Sequence, residues 1–196
     1  MSNTWNQAYP TKIDFLLNRA EAIALEAKQK LNESDTPLLK DLFSEKQITN
    51  SKSQVIRNLK EFNNRGYIPN SYLTKKAKSK NEFMGLYIIG EKMNGEVIPI
   101  YIGISRTVYR RLRQHGWGKE HNQCTLAYLI ANEEKHESKW ANKRSLFPKT
   151  DLIEARDKVQ NFRVVLYSVE NDYDLYFLEV AIAGILKTKW NSFKTH

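Results

Sequence analysis

Met84-Gly85-Leu86-Tyr87-Ile88-Ile89 and Val97-Ile98-Pro99-Ile100-Tyr101-Ile102-Gly103-Ile104 are two runs rich in β-branched and aromatic residues, with Met93-Asn94-Gly95-Glu96 between them. Asn-Gly supplies two adjacent positions tolerant of positive φ. A tight turn twisted like its flanking strands needs such a pair, so the stretch predicts an antiparallel hairpin. Side chains alternate along a strand, which puts Leu86 and Ile88 on one face and Ile98, Ile100, Ile102 and Ile104 on one face of the second strand. Tyr87 and Tyr101 take the other parity. If the apolar faces coincide across the hairpin, both phenols project together from the opposite side.

Downstream, Thr107 to His115 reads as a helix on which Arg111 and His115 lie one turn apart, beside the apolar edge of Val108 and Leu112, while Arg110 and Arg113 point elsewhere. A further helix is expected from Thr125 to Glu134, and a third strand from Asn161 to Val169. Leu175 to Trp190 follows as a helix whose Leu175, Ile182, Ala183, Leu186 and Trp190 form one stripe, with Glu179 in its middle.

Upstream, residues 1–80 read as a helical, basic extension. Asp14 to Leu31 is amphipathic, a shorter helix begins near Leu38 to Phe43 after Ser34-Asp35-Thr36-Pro37, and Val55, Leu59 and Phe62 suggest a third from Ser51 to Phe62. Leu73 to Lys80 holds four lysines and reads equally as a solvated linker and as a phosphate contact. The fold class is α+β: a small, mainly antiparallel three-stranded sheet flanked by helices, with an N-terminal helical extension. Residues 81–196 are expected to form the principal domain, with an insertion at about 116–160.

Composition narrows the function classes. The chain has 196 residues, 41% of them hydrophobic, the make-up of a globular protein with one principal domain. No stretch approaches the ~18 to 20 apolar residues of a membrane span. The first residues lack the basic, apolar and small-residue pattern of a secretory signal, so a cytoplasmic, intracellular chain is expected. A single cysteine, Cys124, excludes an internal disulfide framework, and the Cys124, His121 and His136 set lacks the paired spacing of a zinc site. With 31 Lys and Arg against 22 Asp and Glu, the net charge of +9 favours a polyanionic partner.

Glu179 is a carboxylate amid an apolar stripe, which is unfavourable unless a metal ion or a cation offsets its desolvation. A structural ion pair satisfies that demand as well as a metal does. Arg111 and His115 read alone as surface residues of a basic helix, and Tyr87 and Tyr101 as ordinary strand residues. Together, however, they resemble the pattern of the GIY-YIG nuclease family. Gly85-Leu86-Tyr87 stands where the first triplet is expected, and Tyr101-Ile102-Gly103 matches the second. The family's helix arginine ten residues after the second tyrosine corresponds to Arg111, its histidine four further on to His115, and its later glutamate and asparagine to Glu179 and Asn191. The resemblance covers about residues 83–193; the hairpin is longer than in compact members, and the first 80 residues lie outside it.

The resemblance implies a metal-dependent endonuclease that hydrolyses phosphodiesters. Glu179 would hold one divalent ion, Mg²⁺ or Mn²⁺, and Arg111 would stabilise the scissile phosphate. Tyr87, helped by Tyr101 and His115, would activate the water; a phenol with an ordinary pKa of ~10 is a poor base, so His115 is the alternative proton acceptor. Asn191 is either a supporting polar group or a helix cap. Arg110, Arg113, Lys119, Lys143 and Arg144 are candidate nucleic-acid contacts. DNA is the expected partner, although charge alone admits RNA. A site-specific restriction enzyme, acting as a homodimer on a palindrome, is the favoured subtype. Repair or mobile-element nucleases and a catalytically inactive binding module are the alternatives.

Overall fold

The computed structural model describes residues 12–49, 52–70, 82–140, 143–191 and 193. Its elements run α1 (Ile13–Asn32), β1 (Phe43–Thr49), β2 (Lys52–Arg57), α2 (Leu59–Asn64), β3 (Gly85–Met93), β4 (Glu96–Ser105), α3 (Val108–Trp117), α4 (Thr125–His136), α5 (Lys149–Gln160), β5 (Arg163–Ser168) and α6 (Asp172–Leu186). Single 3-10 turns precede β1 at Leu39–Leu42 and α5 at Arg144–Leu146. None of these helices is long and apolar enough to cross a membrane.

The turn after β3 forms as its sequence requires, with Asn94 and Gly95 at φ of 51° and 91°. β3 is the central strand of an antiparallel sheet ordered β4-β3-β5. Leu86, Ile88, Ile102 and Val165 face one side, where Ala20, Ala24, Ala27 and Leu31 of α1 and Leu175, Leu178 and Ile182 of α6 cover them. Tyr87, Ile89, Val164 and Leu166 face the other side, against Val108, Tyr109 and Leu112 of α3, Ala127 and Tyr128 of α4 and Leu152 and Val159 of α5. The expected α+β architecture is therefore present as a sheet between two helical layers. α1 belongs to the core of that sheet.

The strict alternation expected along the second strand is broken by a bulge. Ile89 pairs with Tyr101 but Gly90 pairs with Pro99, so Ile100 is the extra residue. It turns into the core on the tyrosine side, while Ile98 is left 41% exposed. Pro99 is tolerated because β4 is an edge strand and the ladder asks no N–H of it there.

Three expected helices differ from those observed. The segment expected to be helical from Ser51 to Phe62 is instead β2 followed by the short α2 from Leu59, and β2 pairs antiparallel with β1, itself unforeseen. Val55, Leu59 and Phe62 do carry helical spacing. It is outweighed because Phe43 and Val55 pack on the α3 side of the core from an extended ribbon. The last helix ends at Leu186, where Lys187 adopts φ of 53°, so Trp190 and Asn191 lie beyond it. The Leu38 to Phe43 helix shrinks to one 3-10 turn. Within the 116–160 segment α4 is accompanied by a second helix, α5, whose Leu152, Ala155 and Val159 supply a buried stripe. The lysine-rich stretch Leu73 to Lys80 lies outside the described residues.

Gly85 opens β3 against the carbonyl of Tyr167: a Cβ there would stand 2.1 Å from that oxygen. Backbone of a paired strand cannot yield cheaply. Gly85→Ala is therefore expected to lower the unfolding free energy by about 3 kcal/mol, read from the urea midpoint at unchanged slope.

Candidate active site

Tyr87 of β3 and Tyr101 of β4 project from the same face of the hairpin, with ring centroids 6.2 Å apart. Tyr87 is 1% exposed and lies across Gly103, its cross-strand partner. A Cβ at Gly103 would meet the Tyr87 hydroxyl at 2.3 Å, so the glycine of the second triplet is fixed by the tyrosine of the first.

α3 closes over this face. Its first turn is set by Val108 N donating to Phe83 O and by Thr107 N donating to the Ser105 hydroxyl, after which Val108, Tyr109 and Leu112 are buried. Arg111 and His115 fall one turn apart on the side that meets the phenols. His115 is completely buried, with ring centroids 5.6 Å from Tyr87 and 5.4 Å from Tyr101. The Tyr87 hydroxyl and His115 Nε2 are hydrogen-bonded at 2.8 Å. Nδ1 is buried without a partner among the described residues.

Burial governs how these groups titrate. It holds His115 well below the ordinary imidazole range, and the charge of Arg111 pushes the same way. It also raises Tyr87 well above the ordinary phenol value, reinforced by Tyr101 and opposed by the charge and hydrogen bond of Arg111. Tyr101 is raised too, by burial first. Burial thus favours the protonated form of both phenols.

Arg111 is half-buried and anchored from behind. Its Nη1 donates to the carbonyls of Gln123 at 2.8 Å and Asn122 at 3.3 Å, and its Nη2 donates to the Thr125 hydroxyl at 3.1 Å. The loop leading into α4 therefore positions the guanidinium. Sequence reading missed this, since backbone carbonyls leave no residue signature.

Glu179 of α6 is half-buried, and desolvation pushes its carboxyl up to about 7. Its charge is felt at both Tyr101 and Tyr87. No hydrogen bond or ion pair joins it to another described residue, so the structural ion pair that would have been the bland explanation is not formed among them. A desolvated, unneutralised carboxylate suits a hard divalent cation that takes its remaining ligands from water and substrate oxygen. No group of three His, Cys, Asp or Glu side chains among the described residues is arranged to hold a metal by itself. Of the discounted zinc set, His136 is instead paired with Asp151 at 2.6 Å, and Cys124 is buried with its thiol donating to Glu120 O.

Asn191 is no helix cap. Its Oδ1 accepts from Ile102 N and its Nδ2 donates to Ile102 O, both at 2.8 Å, while Trp190 N donates to Ile100 O. The asparagine thus acts as a one-residue strand along the open edge of β4 and fixes the backbone between Tyr101 and Gly103. The candidate nucleic-acid contacts are dispersed. Arg113 and Lys119 border one cleft, Arg110 is exposed on α3, and Arg144, next to Lys143, stacks over Tyr128 at 5.4 Å.

Residues 83–142 match the family model of the GIY-YIG catalytic domain. Comparison with curated proteins and with solved structures gave no match. The matched segment contains Tyr87, Tyr101, Arg111 and His115, gathered on one face of the hairpin, and it is over these residues that the chain is similar to a GIY-YIG catalytic domain, a nuclease domain.

Proposed function

We propose that this protein is a divalent-metal-dependent DNA endonuclease, of the site-specific restriction type. The observation that carries the reading is Glu179: a desolvated carboxylate without a neutralising partner among the described residues, whose charge is felt at both phenols of the hairpin. Glu179 would hold Mg²⁺ or Mn²⁺, which when bound supplies Lewis-acid stabilisation of the leaving oxygen.

The chain's own groups divide the remaining work. Arg111, fixed from behind by Gln123, Asn122 and Thr125, turns its remaining N–H groups toward the phosphoryl oxygens as negative charge builds on them. Tyr101 orients the attacking water. Tyr87 takes the water's proton while passing its own to His115 Nε2, so no free phenolate forms. The imidazolium appears only while the phosphate carries extra negative charge nearby, which offsets its burial. Asn191 positions Tyr101 and Gly103 through Ile102. A palindromic target would engage two copies of the chain about a two-fold axis.

Plasmid incubated with Mg²⁺ should give discrete bands, lost in EDTA and in Glu179→Ala protein. Arg111→Ala should slow cutting by about 10³-fold, and Arg111→Lys should recover little of it because the two-pronged geometry is gone. A folded wild-type chain that leaves plasmid intact with Mg²⁺ and Mn²⁺ would refute the proposal.

The pH dependence follows from Glu179. Below about 7 its carboxyl is protonated and cannot hold a cation, so single-turnover cleavage at low Mg²⁺ should rise with pH through that value. Raising Mg²⁺ should move the midpoint downward, since cation and proton compete for one carboxylate.

Stability has the opposite sign. A folded pKa raised above the unfolded value, from 4.5 to about 7, means the folded state loses stability as pH rises through that window. Glu179→Gln, locked in the neutral form, should therefore melt a few degrees higher than wild type at pH 8 without metal and lose that gain near pH 4, while failing to cut. Equal melting temperatures at both pH values would show that the carboxylate is not desolvated.

A further inference from the structure

The ribbon of β1 and β2 has almost no core. Every residue of β1 after Phe43 is exposed, as are Lys52, Ser53 and Gln54 of β2. An isolated two-stranded ribbon is marginal in water, so this one is held by its base. There Phe43 packs against Phe62 and Trp117 at 5.8 and 5.2 Å, and Arg57 Nη2 meets the completely buried Glu82 at 2.7 Å while its guanidinium lies over the Tyr109 ring. A buried ion pair adds little net stability but strongly penalises any geometry that separates it. The ribbon is thus rigidly mounted at one end and bare along the rest.

Its bare part is basic and rich in amide groups. Lys46 and Gln54 sit opposite one another, with Gln47 and Lys52 nearby, and the one carboxylate of the strand, Glu45, accepts a hydrogen bond from Ser53. Between β2 and the end of α3 runs a cleft lined by Ser53, Gln54, Arg113, Trp117, Lys119 and Gln123. Gln123 joins this cleft to the active site: its side chain accepts from Lys119 N, and its carbonyl accepts from the guanidinium of Arg111. The cleft therefore borders the loop that positions that arginine.

A DNA major groove, about 12 Å wide, admits a two-stranded ribbon, whereas the deep, narrow major groove of an RNA duplex does not. Lysines suit its phosphate rims, and glutamines can donate and accept at base edges. We infer that the β1–β2 ribbon, with the cleft beside α3, is the DNA-reading element of this protein: it enters the major groove next to the scissile phosphate and reports occupancy to Arg111 through Gln123. The inference rests on the nuclease reading for what is cut but concerns what is bound.

Binding is measured separately from cutting, on Glu179→Gln protein, by fluorescence anisotropy of a short mixed-sequence DNA duplex across a salt series. Adding Lys46→Ala and Lys52→Ala should weaken binding about ten-fold and reduce the salt slope by about two, with the melting temperature unchanged. Gln54→Ala, with no charge altered, should leave the salt slope intact and change the cleavage pattern on plasmid in the otherwise wild-type chain. Affinity and slope within two-fold of the parent protein would overturn the assignment even if the wild type cuts DNA. So would an equal loss of affinity for an RNA duplex, because that groove excludes the ribbon. A wild type that does not cut while the ribbon substitutions still weaken DNA binding would refute the nuclease reading and leave the ribbon assignment standing.

Discussion

The hydrogen bond between a fully buried phenol and a fully buried imidazole, Tyr87 to His115, is the constraint around which the molecule is arranged. Breaking this contact would strand the buried hydroxyl and Nε2 without a partner, which favours one register of β3 against α3. The phenol lies flat across the neighbouring strand, which Gly103 permits by having no side chain. The bulge at Ile100 then lets β4 turn both Ile100 and Tyr101 toward the same helical layer. One polar contact thereby links a strand pairing, a glycine, a bulge and a helix position.

Around that contact the protein keeps charge unfavourably placed. His115 is held neutral, the phenols are held protonated, and Glu179 has a carboxyl moved to about 7 by burial. Each shift comes mainly from desolvation, so each group lies nearer its neutral form than it would in water. Such a site responds strongly to a cation or a phosphate because few mobile dipoles compete. Arg111 is the exception, a permanent charge whose rear N–H groups are taken by the loop before α4.

The N-terminal segments serve the same sheet in two ways. α1 closes the face opposite the tyrosines, with Ala20, Ala24 and Ala27 allowing close approach beside α6, and Leu31 reaches toward Gly90 at the bulge. The β1–β2 ribbon instead stands off that body and is tied back through Arg57 and Glu82. A family match that begins at residue 83 leaves both outside, yet the covering of the matched strands depends on α1.

The sequence alone determined the central hairpin, the pairing of its two phenols on one face, the turn spacing of Arg111 and His115, and the anomalous glutamate, because these follow from local rules: turn chemistry, periods of two and 3.6, and a charge within an apolar stripe. It missed the ribbon because Val55, Leu59 and Phe62 also fit a helical period. The β-branched pairs Ile48-Thr49 and Val55-Ile56 on either side of Asn50 were the contrary signal. That Asn191 clamps Ile102, that carbonyls of the α4 loop hold Arg111, and that burial raises both phenols become visible only in the folded chain. These depend on which distant segments come to surround a group. Desolvation and backbone contacts are sums over such neighbours, and no local pattern of residue types encodes them.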